Sequence, residues 1–307
     1  MKKYKVLILG YSNLAKNRLI NTFIKNKIKF AIASCSSKKK IKSSYDQFNS
    51  YDEGLKKSLA DIVYVSLPNS LHYKWAKKAL ECGYHVIVDK PICENLTKTK
   101  SLINVAKKNN KLLSEAIFFN YHKQIPMALK MSGGIKNIKI VEANFVIPKL
   151  KKTNFRNSKK LKGGVLMDMG CYAASIASLF CSKKILSKKI ITKKNSKALD
   201  TSLNFIFDFS KQVYFGKFKF GGEYQNELIL STDKKTIKLN RVFSPPIDKN
   251  LEIKIKKNNQ LKTFIVKKDN SFNNYFSEVI KSISNKKYDF YYDRMIKISK
   301  FINLLKT

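Results

Sequence analysis

Five short apolar runs punctuate the first 120 residues: "YKVLIL" (4–9), "IKFAIAS" (28–34), "DIVYVSL" (61–67), "HVIV" (85–88) and "KLLSEA" (111–116). Each is too short for a helix and too continuous for a strand with one wet face. Segments of helical period lie between them, and this alternation is the pattern of a parallel sheet built from βαβ units and covered on both sides. Over 70–82, Leu71, Trp75, Ala79 and Leu80 share a face while Lys74, Lys77 and Lys78 face water, and Gly83 stops the helix. Beyond about residue 135 the texture changes to alternating segments: "IVEANFVI", "LNFIFDF", "QVYFGKFKF", "NELILST", "TIKLN", "LEIKIKK" and "KTFIVKK". These read as strands of one open sheet with a single buried face. A helix over about 163–180 interrupts them, and helices over about 270–285 and 290–305 close the chain. The fold class expected is α/β, with a parallel-sheet domain over 1–120. An α+β domain with a large open, mostly antiparallel sheet follows over 121–307, its last helix able to pack back on the first domain.

A formal charge of +41 raises the question of nucleic acid. The distribution argues against it. Arginine stands only at 18, 156, 241 and 294, and the lysines are spread along the whole chain with no basic block interleaved with aromatics. Attraction of small anionic molecules is the reading that remains, with no specific nucleic-acid partner. Cys35, Cys82, Cys93, Cys171 and Cys181 are odd in number and scattered, without a CxxC pair, so no metal site is expected. The apolar run after "MKK" is shorter than a signal-peptide core, and no stretch approaches the roughly 20 apolar residues that span a bilayer. A cytoplasmic protein with no membrane partner is expected.

Three strand ends carry the chemistry. After the first comes "GYSNLAKNR": Gly10 for the tight turn, then Ser12 and Ala15 at the second and third places of a G-x-G-x-x-G/A loop. The amides of Asn13 and Leu14 would open a helix toward a pyrophosphate. After the second comes "ASCSSKKK", with Ser34, Ser36 and Lys38 and no carboxylate to bond a ribose 2′-hydroxyl, so NADP(H) is preferred and NAD(H) remains possible. After the fourth comes "DKP", which sets Lys90 at the carboxyl edge of the sheet, where ligands of open α/β sheets bind.

Three stretches taken together resemble the glucose-fructose oxidoreductase / inositol dehydrogenase / MocA (Gfo/Idh/MocA) family. They are the amino-terminal loop, "DIVYVSLPNSLHYKWAKKALECGYHVIVDKP" and "GGVLMDMGCY". Asp89 stands where the family's E-K-P motif has Glu, and Tyr172 fills the last place of G-G-x-x-x-D-x-G-x-[HY]. "IPKLKKTNFR" and "LNRVFSPP" are similar to the subgroup that reduces the 3-keto group of nucleotide-linked sugars, although dihydrodiol and xylose dehydrogenases share the tyrosine. The resemblance implies a Rossmann domain, a second domain whose open sheet makes a homodimer or homotetramer, and substrate held over the nicotinamide. It marks Lys90 as the active-site lysine.

Ketone reduction needs a proton donor and a group to stabilise the developing alkoxide. Tyr172 is assigned as general acid and Lys90 as the cation that polarises the carbonyl, with the reverse arrangement left open. Asp168, four residues before Tyr172, shares its helix face and either binds a substrate hydroxyl, orients Lys90, or serves only the helix dipole. Leu67, Pro68, Asn69 and His72 follow a strand end and fall near the nicotinamide half of the cofactor, with a plain surface histidine as the alternative for His72. The function expected is NADPH-dependent reduction of a keto group on a sugar, nucleotide-linked by preference. The alternatives are a sugar, polyol or dihydrodiol dehydrogenase working oxidatively, and a non-catalytic dinucleotide-binding regulator or scaffold.

Overall fold

The computed structural model describes residues 4–35, 41, 44–182 and 184–306. Two compact units divide the chain. One holds residues 1–117 and 272–296, the other 118–271 and 297–307.

In the first unit, β1 (Val6–Leu9), β2 (Phe30–Ala33), β3 (Asp46–Phe48), β4 (Ile62–Val65), β5 (His85–Asp89) and β6 (Leu113–Ala116) form a six-stranded sheet in the order β3-β2-β1-β4-β5-β6. Every pairing in it is parallel. The order reverses beside β1, which makes its carboxyl end the switch point of the sheet. The continuous apolar runs have the predicted cause: Val6 to Leu9, Ile62 to Val65 and Val86 to Val88 are all essentially inaccessible. At roughly 1.5–3 kcal/mol for each such side chain, both faces of the sheet must be covered.

The covering helices are α1 (Ile20–Lys25), α2 (Tyr51–Lys57), α3 (Asn69–Glu81) and α4 (Leu96–Lys108), joined by α7 (Ser271–Ser284). Phe276 of α7 lies edge-on to Phe23 with centroids 4.9 Å apart, and the Tyr275 hydroxyl donates to Ser114 Oγ at 2.8 Å. Ser50 caps α2 by accepting from the Glu53 amide, and Asn95 caps α4 by accepting from the Lys98 amide.

In the second unit, β7 (Ile138–Ile147) and β8 (Ser187–Lys194) through β14 (Gln260–Val266) form an eight-stranded sheet. The intervening strands are β9 (Asp200–Phe209), β10 (Gln212–Phe220), β11 (Gln225–Thr232), β12 (Thr236–Asn240) and β13 (Leu251–Lys257). Their order is β14-β13-β12-β11-β7-β10-β9-β8, and the pairing is antiparallel except between β7 and β10. One face is apolar. Leu203, Phe205, Phe207, Tyr214, Phe218, Leu228 and Leu230 are buried under α6 (Val165–Phe180) and α5 (Gln124–Ser132). Gly216 sits beneath the Phe205 ring, which an added Cβ would strike at 2.0 Å. α8 (Asp289–Leu304) begins in the first unit and ends in the second. Among the described residues no helix is long and apolar enough to cross a membrane.

Candidate active site

The carboxyl edge of the parallel sheet gathers the motif residues of the first unit. Gly10 has φ +95°, and a Cβ there would meet the Ser66 carbonyl oxygen at 2.4 Å, so only glycine lets the β1 turn lie against the end of β4. Asn13 and Leu14 open the following helix, whose next turn, Ala15–Leu19, is π-helical before it continues as α1. The first amides of a helix lack intrahelical acceptors, and those of Asn13 and Leu14 stand at this opening. Ser12 adds a cap, its Oγ accepting the Ala15 amide at 3.1 Å. Leu67 and Asn69 are buried at the end of β4 and the start of α3, and Ser34 is buried at the end of β2. Ser36 and Lys38 lie outside the described residues.

Lys90 follows β5 directly, and the chain on either side of it is held by side chains. The Asp89 carboxylate accepts from the Tyr64 hydroxyl and, at 3.0 Å, from Ser66 Oγ. Burial raises the Asp89 pKa, while Tyr64, His72, Ser66 and Lys90 pull it back. Beyond Lys90, the Ile92 amide donates to Glu115 Oε1 at 2.9 Å. Glu115 is 8% exposed, and burial pushes its carboxyl up to about 7 against the opposing pull of the Ile92 amide, Arg294 and Lys90.

His72 corrects its expectation. It is 1% exposed, neither a surface histidine nor open to a cofactor: Nδ1 lies 2.7 Å from the Pro91 carbonyl oxygen and Nε2 2.7 Å from that of Leu67. The reason is helical phase. His72 falls on the face of α3 that also buries Trp75, Ala76 and Ala79, so it staples the loop after β4 to the loop after β5. Burial lowers its pKa, opposed by the two carbonyls and Asp89.

In the second unit, Tyr172 stands one turn after Asp168 on α6. Its ring packs against Phe119, Phe145 and Phe243 with centroids 5.7, 5.6 and 5.6 Å away, so its orientation is set by three aromatic neighbours. Asp168 is 4% exposed, and its Oδ1 lies 2.8 Å from Nε of Arg156 in an ion pair. The loop carrying Arg156 folds back tightly: the Gly164 amide donates to the Arg156 carbonyl, and a Cβ on Gly163 would strike that same oxygen at 2.2 Å. Asp168 therefore braces the loop before α6, a partner the sequence did not reveal. Ser66, Tyr64 and the aromatic neighbours of Tyr172 were missed as well. Phe243 lies in the "LNRVFSPP" stretch, which was the available signal.

A doubly wound parallel sheet with a glycine turn and helix opening at its switch point is the arrangement of a dinucleotide-binding domain, and Lys90 stands at the same edge of that sheet. Residues 4–117 match the model of the oxidoreductase family with an NAD-binding Rossmann fold, and the chain is an oxidoreductase of the Gfo/Idh/MocA family. It is 25% identical over 258 residues to the dTDP-3,4-didehydro-2,6-dideoxy-alpha-D-glucose 3-reductase of Streptomyces violaceoruber, covering 80% of this chain and 75% of that one. It is 31% identical to the D-xylose 1-dehydrogenase (NADP(+)) 2 of Haloferax volcanii, over 43% of this chain and 42% of the other. The 3-ketoreductase of Actinomadura kijaniata, solved with NADP and TDP-benzene, shares the fold with a TM-score of 0.92 at 20% identity, over 99% of this chain and 97% of that one.

Proposed function

We propose that the protein reduces a keto group on a nucleotide-linked sugar, with NADPH as the preferred cofactor. The observation that carries the reading is the placement of Lys90 immediately after β5, whose Val86, Ile87 and Val88 are inaccessible, at the same sheet edge as the Gly10 turn. Gly10, Ser12, Asn13 and Leu14 would hold the pyrophosphate, with Ser34, Ser36 and Lys38 at the adenosine end and Leu67, Pro68, Asn69 and Lys90 toward the nicotinamide. When bound, the cofactor supplies the hydride.

The rest of the chemistry belongs to the chain. Tyr172 gives its phenolic proton to the carbonyl oxygen, while Lys90 stabilises negative charge as it develops there. Asp168 acts through Arg156, fixing the loop that leads into α6. Support for a nucleotide-linked substrate comes from the Streptomyces and Actinomadura relatives; the Haloferax relative supports the second reading, a sugar dehydrogenase running oxidatively with NADP.

The exposed face of the large sheet supports a homo-oligomer. Ile206 and Phe215 are paired across β9 and β10, Ile191 is on the same side of β8, and all three are at least 39% exposed. The test of function is direct. Purified protein with NADPH and dTDP-3,4-didehydro-2,6-dideoxy-α-D-glucose, made in situ, should consume NADPH. Turnover instead with D-xylose and NADP would favour the oxidative reading, and none with either would favour a non-catalytic role.

A further inference from the structure

We propose that Ser12, Ser66 and Asp89 form a hydrogen-bonded link through which the dinucleotide loop sets the position of Lys90, with Ser12 and Ser66 as positioning residues. The proposal rests on the reading of Lys90 as the cation at the reacting carbonyl.

Ser12 occupies the place where the dinucleotide-loop pattern has its second glycine. Its hydroxyl lies 2.7 Å from that of Ser66, and Ser66 Oγ is 3.0 Å from Asp89 Oδ2. Counting protons fixes the direction of the chain. A carboxylate only accepts, so the single Ser66 proton goes to Asp89, and Ser66 must then accept from Ser12. Ser12 keeps a lone pair for the Ala15 amide, 3.1 Å away. Each hydroxyl donates once, toward Asp89, and each bond polarises the next.

Asp89 is bonded covalently to Lys90, so whatever fixes its carboxylate fixes the start of the lysine segment. Four contacts among those that hold the segment are Tyr64 and Ser66 on Asp89, His72 on the Pro91 carbonyl, and Glu115 on the Ile92 amide. Of these four, the Ser66 contact continues by a further hydrogen bond into the dinucleotide loop. Both departures from the family motifs, Ser12 for glycine and Asp89 for glutamate, lie on this one path. A glycine at 12 would have no hydroxyl to give, and the chain would end at Ser66.

Among the described residues, the charged and titratable groups that act on Asp89 are Tyr64 from β4, His72 from α3, and Lys90. Ser66→Ala cuts the link in its middle and leaves the Ser12 cap on Ala15 intact. Hydrogen exchange of the full chain, with NADPH as the probe ligand, reads the coupling without turnover. In the wild type NADPH should slow exchange both in residues 10–19 and in 85–93. In Ser66→Ala the first protection should persist, with NADPH affinity within about twofold, while the second falls by half or more. Turnover should fall about five- to tenfold, the worth of one hydrogen bond.

Undiminished protection of 85–93 in Ser66→Ala would overturn the link. Weakened NADPH binding with unchanged turnover would overturn it too, reducing the serines to loop support. Should Ser66→Ala not fold, the link can be read from its other end: Ser12→Ala should lose the distal protection and Ser12→Thr, which keeps the hydroxyl, should retain it. Equal behaviour of those two would contradict the proposal. An error in the Lys90 reading shows separately, as full turnover by Lys90→Met with the exchange coupling intact.

Discussion

Arg156 Nε lies 2.8 Å from Asp168 Oδ1, and the two members of the pair differ in exposure: the arginine side chain is 28% exposed and the aspartate 6%. Removing the cation takes a counter-ion from a carboxylate that water barely reaches, whereas Asp168→Asn still turns a side-chain oxygen toward the guanidinium. Arg156→Ala should therefore cost more stability than Asp168→Asn, about 1–3 kcal/mol against less than about 1. Urea unfolding of the two variants measures the difference, and the reverse order would mean that the pair does not brace the loop.

Glu115 gives a pH dependence of definite sign. Its folded pKa is raised from 4.5 to about 7, chiefly by burial. Between those values the folded protein holds a proton that the unfolded chain has released, so its contribution to stability is present at low pH and is lost as pH rises toward 7. The loss is at most about 3 kcal/mol, for a shift of roughly two and a half pH units. Glu115→Gln keeps an acceptor for the Ile92 amide and removes the titration. Denaturation at pH 5 and pH 8 should show the wild type losing ground to the glutamine variant by about 1–3 kcal/mol; parallel pH profiles would contradict this.

The strand-end serines and lysine predict the cofactor preference. With no carboxylate in "ASCSSKKK", NADPH should bind about tenfold or more tightly than NADH, the worth of one charge-assisted contact. Ser36→Asp should reverse the order. Fluorescence titration decides, and equal affinities in the wild type would remove the NADP assignment.

Those parts of the fold governed by two-sided burial were legible in the sequence. Val86 to Val88 could only be a covered strand, and that alone put Lys90 at the edge. Edge elements were not legible: β8 is "SKKIITKK", mostly exposed, and is a strand only because β9 pairs with it; β3 is three residues long. The parallel contact of β7 with β10 joins strands about 70 residues apart and has no local signal. At the site, His72 was misjudged because its period on α3 was set by Leu71, which is only half-buried, rather than by Ala76, which is fully buried. The neighbours of Tyr172 come from positions 119, 145 and 243, and only folding brings them together.

Tyr172→Phe tests the central claim most directly. The variant keeps the ring and its packing against Phe119, Phe145 and Phe243 and removes only the hydroxyl. With saturating NADPH and dTDP-3,4-didehydro-2,6-dideoxy-α-D-glucose, kcat should fall by about 10²- to 10⁴-fold, while NADPH affinity and Tm stay close to wild type. Lys90→Met, measured beside it, should also lose turnover, and the double variant should lose far less than the product of the two single losses. Near-normal turnover by Tyr172→Phe with a dead Lys90→Met would make the lysine the proton donor, and activity in both would place the chemistry elsewhere in the protein.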